Sequence, residues 1–167
     1  MKLRQFAAAF LINEDQEILF LQKPEDAKFL AGHLVPIGGH MEASEINTPE
    51  EACLREINEE TGLSSHQISK LTLQYLTHRL KDNEIRIQYI YFGYISKDSN
   101  LTNSDEGSLV WINPNNINDL KVTASAREII KHHKLNVLNE NIYVGTMKSL
   151  NGEPGMTWSI LEDWDKK

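Results

Sequence analysis

The chain has 167 residues, of which 40% are hydrophobic, and this is enough apolar material for one well-buried core. We therefore expect a single domain over residues 1–167. The 17 basic and 24 acidic side chains give a formal net charge of -7, which opposes broad electrostatic binding to nucleic acid. A substrate that carries phosphate would need a metal ion to mediate its binding.

Cysteine usage and the N-terminal run predict a cytoplasmic protein. Cys53 is the only cysteine, so no internal disulfide can form and no oxidising compartment is required. The apolar run at residues 6–12 follows two cations, but it is short for a secretory signal and lacks a cleavage region before Glu14 and Asp15. We interpret it as a buried strand. No apolar stretch approaches the ~20 residues that cross a bilayer, so we expect a soluble protein without a membrane partner.

The first part of the chain predicts strands. Apolar runs at residues 6–12 and 17–22 flank the polar turn at 13–16, as in a hairpin. The connection at residues 24–39 is rich in proline and glycine, and we expect a short strand within it at 34–35.

A helix start follows. Thr48 offers a capping hydroxyl, Pro49 suits the first helical position, and Glu51 lies three residues after the cap. The helix should end near Thr61, because Gly62 tolerates the left-handed conformation found at helix ends.

The second part of the chain adds more strands and one helix. Ser125 and Glu128 repeat the capping-box pattern and predict a helix through about Lys134. The predicted turns are 81–83 and 151–155. The predicted strands are 71–80, 84–95, 110–112, 142–147 and 156–161. Strands interleaved with two or three helices favour an α/β sandwich.

Three glutamates on the first predicted helix indicate a cation site. At ~100° per residue, Glu56, Glu59 and Glu60 fall within an arc of about 100° on one side of the helix. Like charges at this spacing repel by about 0.2–0.5 kcal/mol a pair, so a cation would offset the repulsion. The alternative is a solvated acidic face. Against it, Glu56 and Glu60 lie near the border of the apolar stripe that contains Cys53 and Ile57, as expected for a cleft wall.

These residues resemble a known family. The run Gly39-x5-Glu45 followed by Arg55-Glu-Ile-x-Glu-Glu-x-Gly-Leu63 resembles the Nudix box, Gly-x5-Glu-x7-Arg-Glu-apolar-x-Glu-Glu-x-Gly-apolar. Nine residues instead of seven separate Glu45 from Arg55, which leaves open whether Glu45 takes the place of the family's first glutamate. The resemblance implies an α/β/α sandwich around a mixed β-sheet.

The resemblance also implies metal ligands. Glu56, Glu59 and Glu60 would hold Mg²⁺, with Mn²⁺ as a substitute, and the carbonyl of Gly39 would assist. Arg55 would orient a glutamate.

A general base and substrate contacts complete the expected site. Glu56 and Glu59 are candidate bases within the box, and Glu106 is the candidate from a downstream loop. The residues expected to contact the substrate are Lys23, Gly38 and Gly39.

The expected reaction is metal-dependent hydrolysis of a pyrophosphate bond in a nucleoside diphosphate linked to another group. The leading substrate is a modified nucleoside triphosphate, because residues 104–111 and the tail strands resemble the branch that hydrolyses oxidised purine nucleotides. That branch's polar base-contacting residues are replaced here by Val35 and residues 122–125. A stacking surface could come from Phe29, Tyr89, Trp111, Trp158 and Trp164, although packing in the core or in a lid is the more frequent role for each.

Three alternatives stay open. A nucleotide-sugar pyrophosphatase or a dinucleoside-polyphosphate pyrophosphatase would perform related chemistry. No proline lies between Pro49 and Pro114, so the mark of the ADP-ribose branch is missing, and Arg79, Leu80 and Lys81 stand where the dinucleoside-polyphosphate branch has a tyrosine. A non-catalytic nucleotide sensor usually loses box glutamates, whereas this chain keeps the three on the helix.

Overall fold

The computed structural model describes residues 1–165, which form one nine-stranded mixed sheet with a helix on each face. The helices are α1 (Pro49–Thr61) and α2 (Ala124–Leu135). The strands are β1 (Lys2–Ile12), β2 (Ile18–Gln22), β3 (Leu34–Val35), β4 (Ile37–His40), β5 (Ser69–Lys81), β6 (Glu84–Tyr94), β7 (Ser108–Ile112), β8 (Ile142–Leu150) and β9 (Glu153–Leu161). The expected α/β/α sandwich is confirmed. Within residues 1–165, no helix combines the length and apolarity needed to cross a membrane.

Strand β1 is the centre of the sheet. It runs parallel to β6 along its whole length and antiparallel to β4 between Phe6 and Ala9. Successive side chains of a strand point to opposite faces, so Ala7 and Leu11 pack under α1 whereas Ala8 and Phe10 pack under α2. Because both faces are covered, the apolar run that was predicted as a strand is buried on both sides.

Helix α1 packs on the sheet through Ala52, Cys53 and Ile57. It ends as predicted, because Gly62 adopts a left-handed φ of 76° and its N–H donates to the Asn58 carbonyl. The predicted hydroxyl cap was wrong: Thr48 is the N-cap residue, but its side chain makes no capping hydrogen bond. Its N–H donates to the Glu45 carbonyl in a preceding turn, and the resulting ψ of 62° lies outside the extended region that a capping side chain needs.

Helix α2 covers the other face with Ala126, Ile129 and Ile130. Its predicted start at Ser125 was wrong, because the N-cap residue is Thr123, two residues earlier. The main chain is fixed just before this point, where the Leu34 N–H donates to the Lys121 carbonyl at 2.8 Å. That contact joins residues that are 87 positions apart in sequence, so a local capping pattern does not reveal it.

The tail strands β8 and β9 form a longer hairpin than predicted. The turn consists only of Asn151 and Gly152, whose φ values of 52° and 86° suit a two-residue hairpin turn. Residues 153–155, which were predicted as turn, belong to β9. Strand β8 pairs in parallel with β5, so the hairpin extends the same sheet.

Candidate active site

A cavity of about 640 Å³ lies between the α2 side of the sheet and the loop after β2. Acidic side chains from α1 and from the loop before β7 line one part of it, and basic side chains from β5 and β6 line another. Every residue predicted for the site reaches this cavity except Arg55. The predicted residues that line it are Lys23, Gly38, Gly39, Glu56, Glu59, Glu60 and Glu106.

Glu60 is a buried carboxylate at the base of the acidic wall. Only 4% of its surface is exposed, and its Oε2 accepts a hydrogen bond from the Gly38 N–H at 2.9 Å. Burial raises the pKa of Glu60 to about 8, with smaller contributions from the charges of Glu106 and Glu56, whereas the Gly38 hydrogen bond acts in the opposite direction. A carboxyl group held in this way benefits from a nearby positive charge.

The glycine pair of β4 is required by close packing. A Cβ atom on Gly38 would lie 2.3 Å from the Ala7 carbonyl oxygen, and the Gly38 φ of 149° also disfavours a side chain. A Cβ atom on Gly39 would lie 2.6 Å from Oε2 of Glu56. The main chain of β4 therefore approaches the carboxylates of α1 closely, whereas the role of the Gly39 carbonyl as a metal ligand stays a prediction.

Arg55 stands behind this wall and connects its glutamates. Its guanidinium donates to both oxygens of Glu45, at 2.7 and 2.9 Å, and its Nη1 donates to Glu56 at 2.8 Å and to Glu59 at 3.2 Å. It also donates to the His40 carbonyl at 3.0 Å. The Arg55 guanidinium lowers the pKa of Glu45 to about 2 and its own pKa is raised, chiefly by Glu45. These contacts would allow Arg55 to orient Glu56 and Glu59, which stays a prediction.

The two extra residues between Glu45 and Arg55 do not separate these two side chains. A short 3-10 helix, Ala43–Glu45, and the turn that follows it occupy the space between β4 and α1. The bidentate contact with Arg55 places Glu45 at the back of the glutamate cluster.

Glu106 reaches the cavity from the loop before β7. Its Oε2 lies 2.8 Å from Nζ of Lys23, which follows β2. Its charge contributes to the raised pKa values of both Glu60 and Glu56, which line the same cavity. The structure therefore brings the loop acid and the predicted lysine together beside the glutamates of α1.

The three helix glutamates line one wall but do not surround one point. Glu56 and Glu59 share Arg55, whereas Glu60 turns to Gly38. Within residues 1–165, no three carboxylate, imidazole or thiol groups lie close enough together to coordinate one ion. Repulsion between the like charges favours different hydrogen-bond partners for Glu60 and for the other two glutamates. The three carboxylates therefore lie farther apart than a single shared cation would require. The oxygen donors nevertheless fit Mg²⁺ or Mn²⁺, since a divalent ion would offset the buried negative charge.

Comparison with known proteins identifies the family. Residues 2–133 match the sequence profile of the NUDIX domain. The chain belongs to the Nudix family. The Uncharacterized Nudix hydrolase YvcI of Bacillus subtilis (strain 168) is 28% identical over 124 residues, which cover 72% of this chain and 73% of that protein. The 8-oxo-dGTP diphosphatase of Escherichia coli (strain K12) is 33% identical over 89 residues, which cover 53% of this chain and 65% of that protein.

Solved structures show the same Nudix fold. The MutT protein of Bacillus halodurans superposes with a TM-score of 0.68 at 23% identity, over 94% of this chain and 97% of that chain. A C. elegans Ap4A hydrolase superposes with a TM-score of 0.66 at 15% identity, over 81% of this chain and 98% of that chain. The chain is a Nudix pyrophosphohydrolase of the MutT-like type, an enzyme class that generally uses divalent metal ions.

Most of the possible stacking residues pack in the cores, which was the stronger expectation for each, and do not reach this Nudix cavity. Of the five aromatic candidates only Phe29 lines it, and Phe6 was missed. Trp111 and Tyr89 pack with the α1 core, Trp158 packs with the α2 core, and Trp164 is 87% exposed.

The basic residues that β5 and β6 contribute to the cavity were not among the predicted site residues. Arg79 on β5 lies directly opposite Arg86 on β6, and Lys81 lies nearby. A two-residue turn at Asp82 and Asn83 would have predicted this pairing, because hairpin turn length sets the strand register.

We expect Glu60→Gln to stabilise the metal-free enzyme at high pH. A carboxyl group with a folded-state pKa of about 8, against an ordinary 4.5, contributes stability that is fully present below 4.5 and is lost as the pH rises through about 8. The glutamine cannot ionise, so the variant should gain about 1–3 kcal/mol over the wild type between pH 5 and pH 9. Urea unfolding with EDTA at both pH values measures this difference.

Glu51→Gln is the matched control, because Glu51 is an exposed carboxylate on the same helix. It should give the same pH dependence as the wild type. If Glu60→Gln also followed the wild type from pH 5 to pH 9, Glu60 would ionise in the fold without cost, contrary to the burial argument.

Proposed function

We propose that this enzyme hydrolyses a pyrophosphate bond in a nucleotide with Mg²⁺, for which Mn²⁺ can substitute. The leading substrate is a modified nucleoside triphosphate, from which the products would be a nucleoside monophosphate and pyrophosphate. The arrangement of Glu60 and Glu56 against the main chain of Gly38 and Gly39, inside a cavity large enough for a nucleotide, carries the proposal. We also propose that the enzyme is located in the cytoplasm.

The metal site would use the acidic wall of α1. Glu56, Glu59 and Glu60 would hold the ion or ions together with the Gly39 carbonyl. When bound, the metal would neutralise phosphate charge and acidify the attacking water. Arg55 would keep Glu56 and Glu59 in position through the contacts at 2.8 and 3.2 Å.

Lys23 and Glu106 are proposed to act on the substrate side of the cavity. The Lys23 ammonium, 78% of whose side chain is removed from solvent contact, points at Glu106 and could instead bind a phosphate oxygen. If Lys23 bound the phosphate oxygen instead of Glu106, the Glu106 carboxylate would be free to accept a proton from water. Glu106 is therefore the preferred general base over Glu56 and Glu59, which Arg55 already engages.

The proposed substrate and the proposed reaction class are supported by different observations. The 33% identity to an 8-oxo-dGTP diphosphatase favours a modified nucleoside triphosphate. The Ap4A hydrolase shares only 15% identity and supports the fold alone. Retention of Glu56, Glu59 and Glu60 favours hydrolysis over nucleotide sensing.

We also propose that residues 1–167 act as one Nudix domain. The family match ends at residue 133, but β8 pairs with β5 of the matched region and Tyr143 stacks on Tyr75 with 5.7 Å between ring centroids. Trp158 of β9 contacts the same tyrosine. These contacts support the proposal that β8 and β9 belong to the same domain as the matched region.

We expect Glu59→Gln to lower kcat/KM about 100-fold or more, because it removes a charged metal ligand. Nucleoside triphosphates, oxidised purine nucleotides, nucleotide sugars and dinucleoside polyphosphates should be tested with Mg²⁺, and the product masses should be recorded. EDTA should abolish turnover, and added Mg²⁺ or Mn²⁺ should restore it.

Glu51→Gln is again the control, because it removes the same charge from the exposed face of α1. It should retain wild-type turnover. A folded Glu59→Gln, Glu60→Gln double variant that hydrolyses these substrates at the wild-type rate would overturn the metal site. Absence of product from the whole panel would overturn the proposed hydrolysis.

We expect Glu106→Gln to lower kcat by about 10²- to 10⁴-fold with little change in KM, because the amide cannot accept a proton. Asp105→Asn is the control, since Asp105 is an exposed acid in the same loop. Steady-state kinetics on the best substrate separate kcat from KM. Equal losses in the two variants, or a Glu106→Gln enzyme within about threefold of the wild type, would assign the proton transfer to another group.

A further inference from the structure

The end of the cavity away from α1 is strongly basic. Arg79 on β5 and Arg86 on β6 are directly opposed, so their side chains extend from the same face of the sheet. Lys81 lines the same end of the cavity. A protein with a net charge of -7 thus concentrates cations at one position of its active-site cavity.

The acidic residue nearest this cluster is already engaged. Glu84 forms ion pairs with Arg4 at 2.6 Å and with Arg86 at 2.5 Å. In the part of the chain that the structure describes, no carboxylate forms an ion pair with Arg79. One glutamate therefore serves two arginines, and the third guanidinium keeps an uncompensated charge.

This uncompensated charge is unfavourable in the protein alone. Arg79 is only partly exposed, and directly opposed like charges on neighbouring strands repel each other. Burial lowers the pKa of Arg79, the charge of Arg86 lowers it further, and Glu84 counteracts the two only in part. A desolvated cation that faces a cavity is stabilised when the cavity holds an anion.

The loop after β2 covers this end of the cavity. The ring centroid of Phe29 lies 5.7 Å from Nζ of Lys81, within the range of a cation–π contact. The floor beside it is fixed by the hydrogen bond from the Thr77 hydroxyl to the Gln88 amide oxygen at 3.2 Å. An anion bound here would lie in a partly enclosed pocket and would be screened less than one at an open surface.

The basic end is too distant to hold the diphosphate that the glutamates bind. Gly39 lies on β4 and Arg79 on β5, and β1 and β6 lie between those strands. Three strand spacings correspond to roughly 14 Å. A group that contacts Arg79 must therefore belong to the other half of the substrate.

We infer that the preferred substrate carries a second anionic group, a phosphate or a carboxylate, on the half remote from the hydrolysed diphosphate, and that Arg79 with Arg86 binds it. The inference rests on the proposed hydrolysis of a nucleotide pyrophosphate bond, and among the candidate substrates it favours those with such an anion over a nucleoside triphosphate whose nucleoside half is uncharged. Nucleotides with an uncharged remote half are poorer substrates.

Matched substrate pairs test this preference. The phosphate pair is adenosine 3′-phosphate 5′-diphosphate with ADP, and the carboxylate pair is UDP-glucuronic acid with UDP-glucose. The wild type should favour the anionic member of one pair by about 10- to 100-fold in kcat/KM, and Arg79→Met should reduce that ratio to about 1. The responding pair identifies the anion.

Lys148→Met is the control, because it removes one exposed positive charge on β8 away from the cavity, and it should keep the wild-type ratio. Arg79→Lys should retain part of the preference. A wild type with no preference in either pair, or an Arg79→Met enzyme that keeps the wild-type ratio, would overturn the inference.

A binding measurement separates this inference from the proposed hydrolysis. With EDTA present and ionic strength held constant, replacing chloride by inorganic phosphate should raise the Tm of the wild type and of Lys148→Met more than that of Arg79→Met. This shift needs no turnover, so it survives if the hydrolysis proposal fails. An equal shift in all three proteins would show that phosphate does not bind at Arg79.

Discussion

The close approach of α1 to the glycine pair of β4 is the contact on which the site depends. Gly38 donates its N–H to Glu60, and the absence of a side chain on Gly39 leaves room for the Glu56 carboxylate. Burying carboxylates in this way is costly, and the raised pKa of Glu60 expresses that cost. The fold therefore buries carboxyl groups at a position where a divalent cation would stabilise their ionised form.

The rest of the sandwich keeps that contact in place. Strand β1 pairs with β4 on one side and β6 on the other, and its side chains enter both cores. The α1 core fixes the acidic wall, whereas the N-terminus of α2 and the loop after β2 border the opposite side of the cavity. One sheet thus carries an acidic subsite and a basic subsite about three strands apart, which matches a substrate that is anionic at both ends.

Local sequence signals predicted the features that local interactions determine. Gly62 indicated the end of α1, and alternating apolar residues indicated most strands. The helix starts were less predictable, because turns and distant main-chain contacts around Thr48 and Thr123 override side-chain capping. Spacing alone could not place Glu45, whose position depends on Arg55.

The cavity's basic end could not be seen from motifs. Arg79 and Arg86 become neighbours only through the register of the β5–β6 hairpin, which places them on the same face. The sequence left the role of the aromatic residues open for a related reason: whether a tryptophan such as Trp158 lines a cavity or fills a core depends on which helix covers its strand.

Anomalous diffraction from crystals soaked in Mn²⁺ would locate the metal ion relative to α1 and the glycine pair. We expect a peak bound by the Gly39 carbonyl together with the Glu56, Glu59 and Glu60 carboxylates, with Glu60 turned away from the Gly38 N–H. A peak only at exposed surface acids, with the Glu60 to Gly38 hydrogen bond intact, would contradict this expectation.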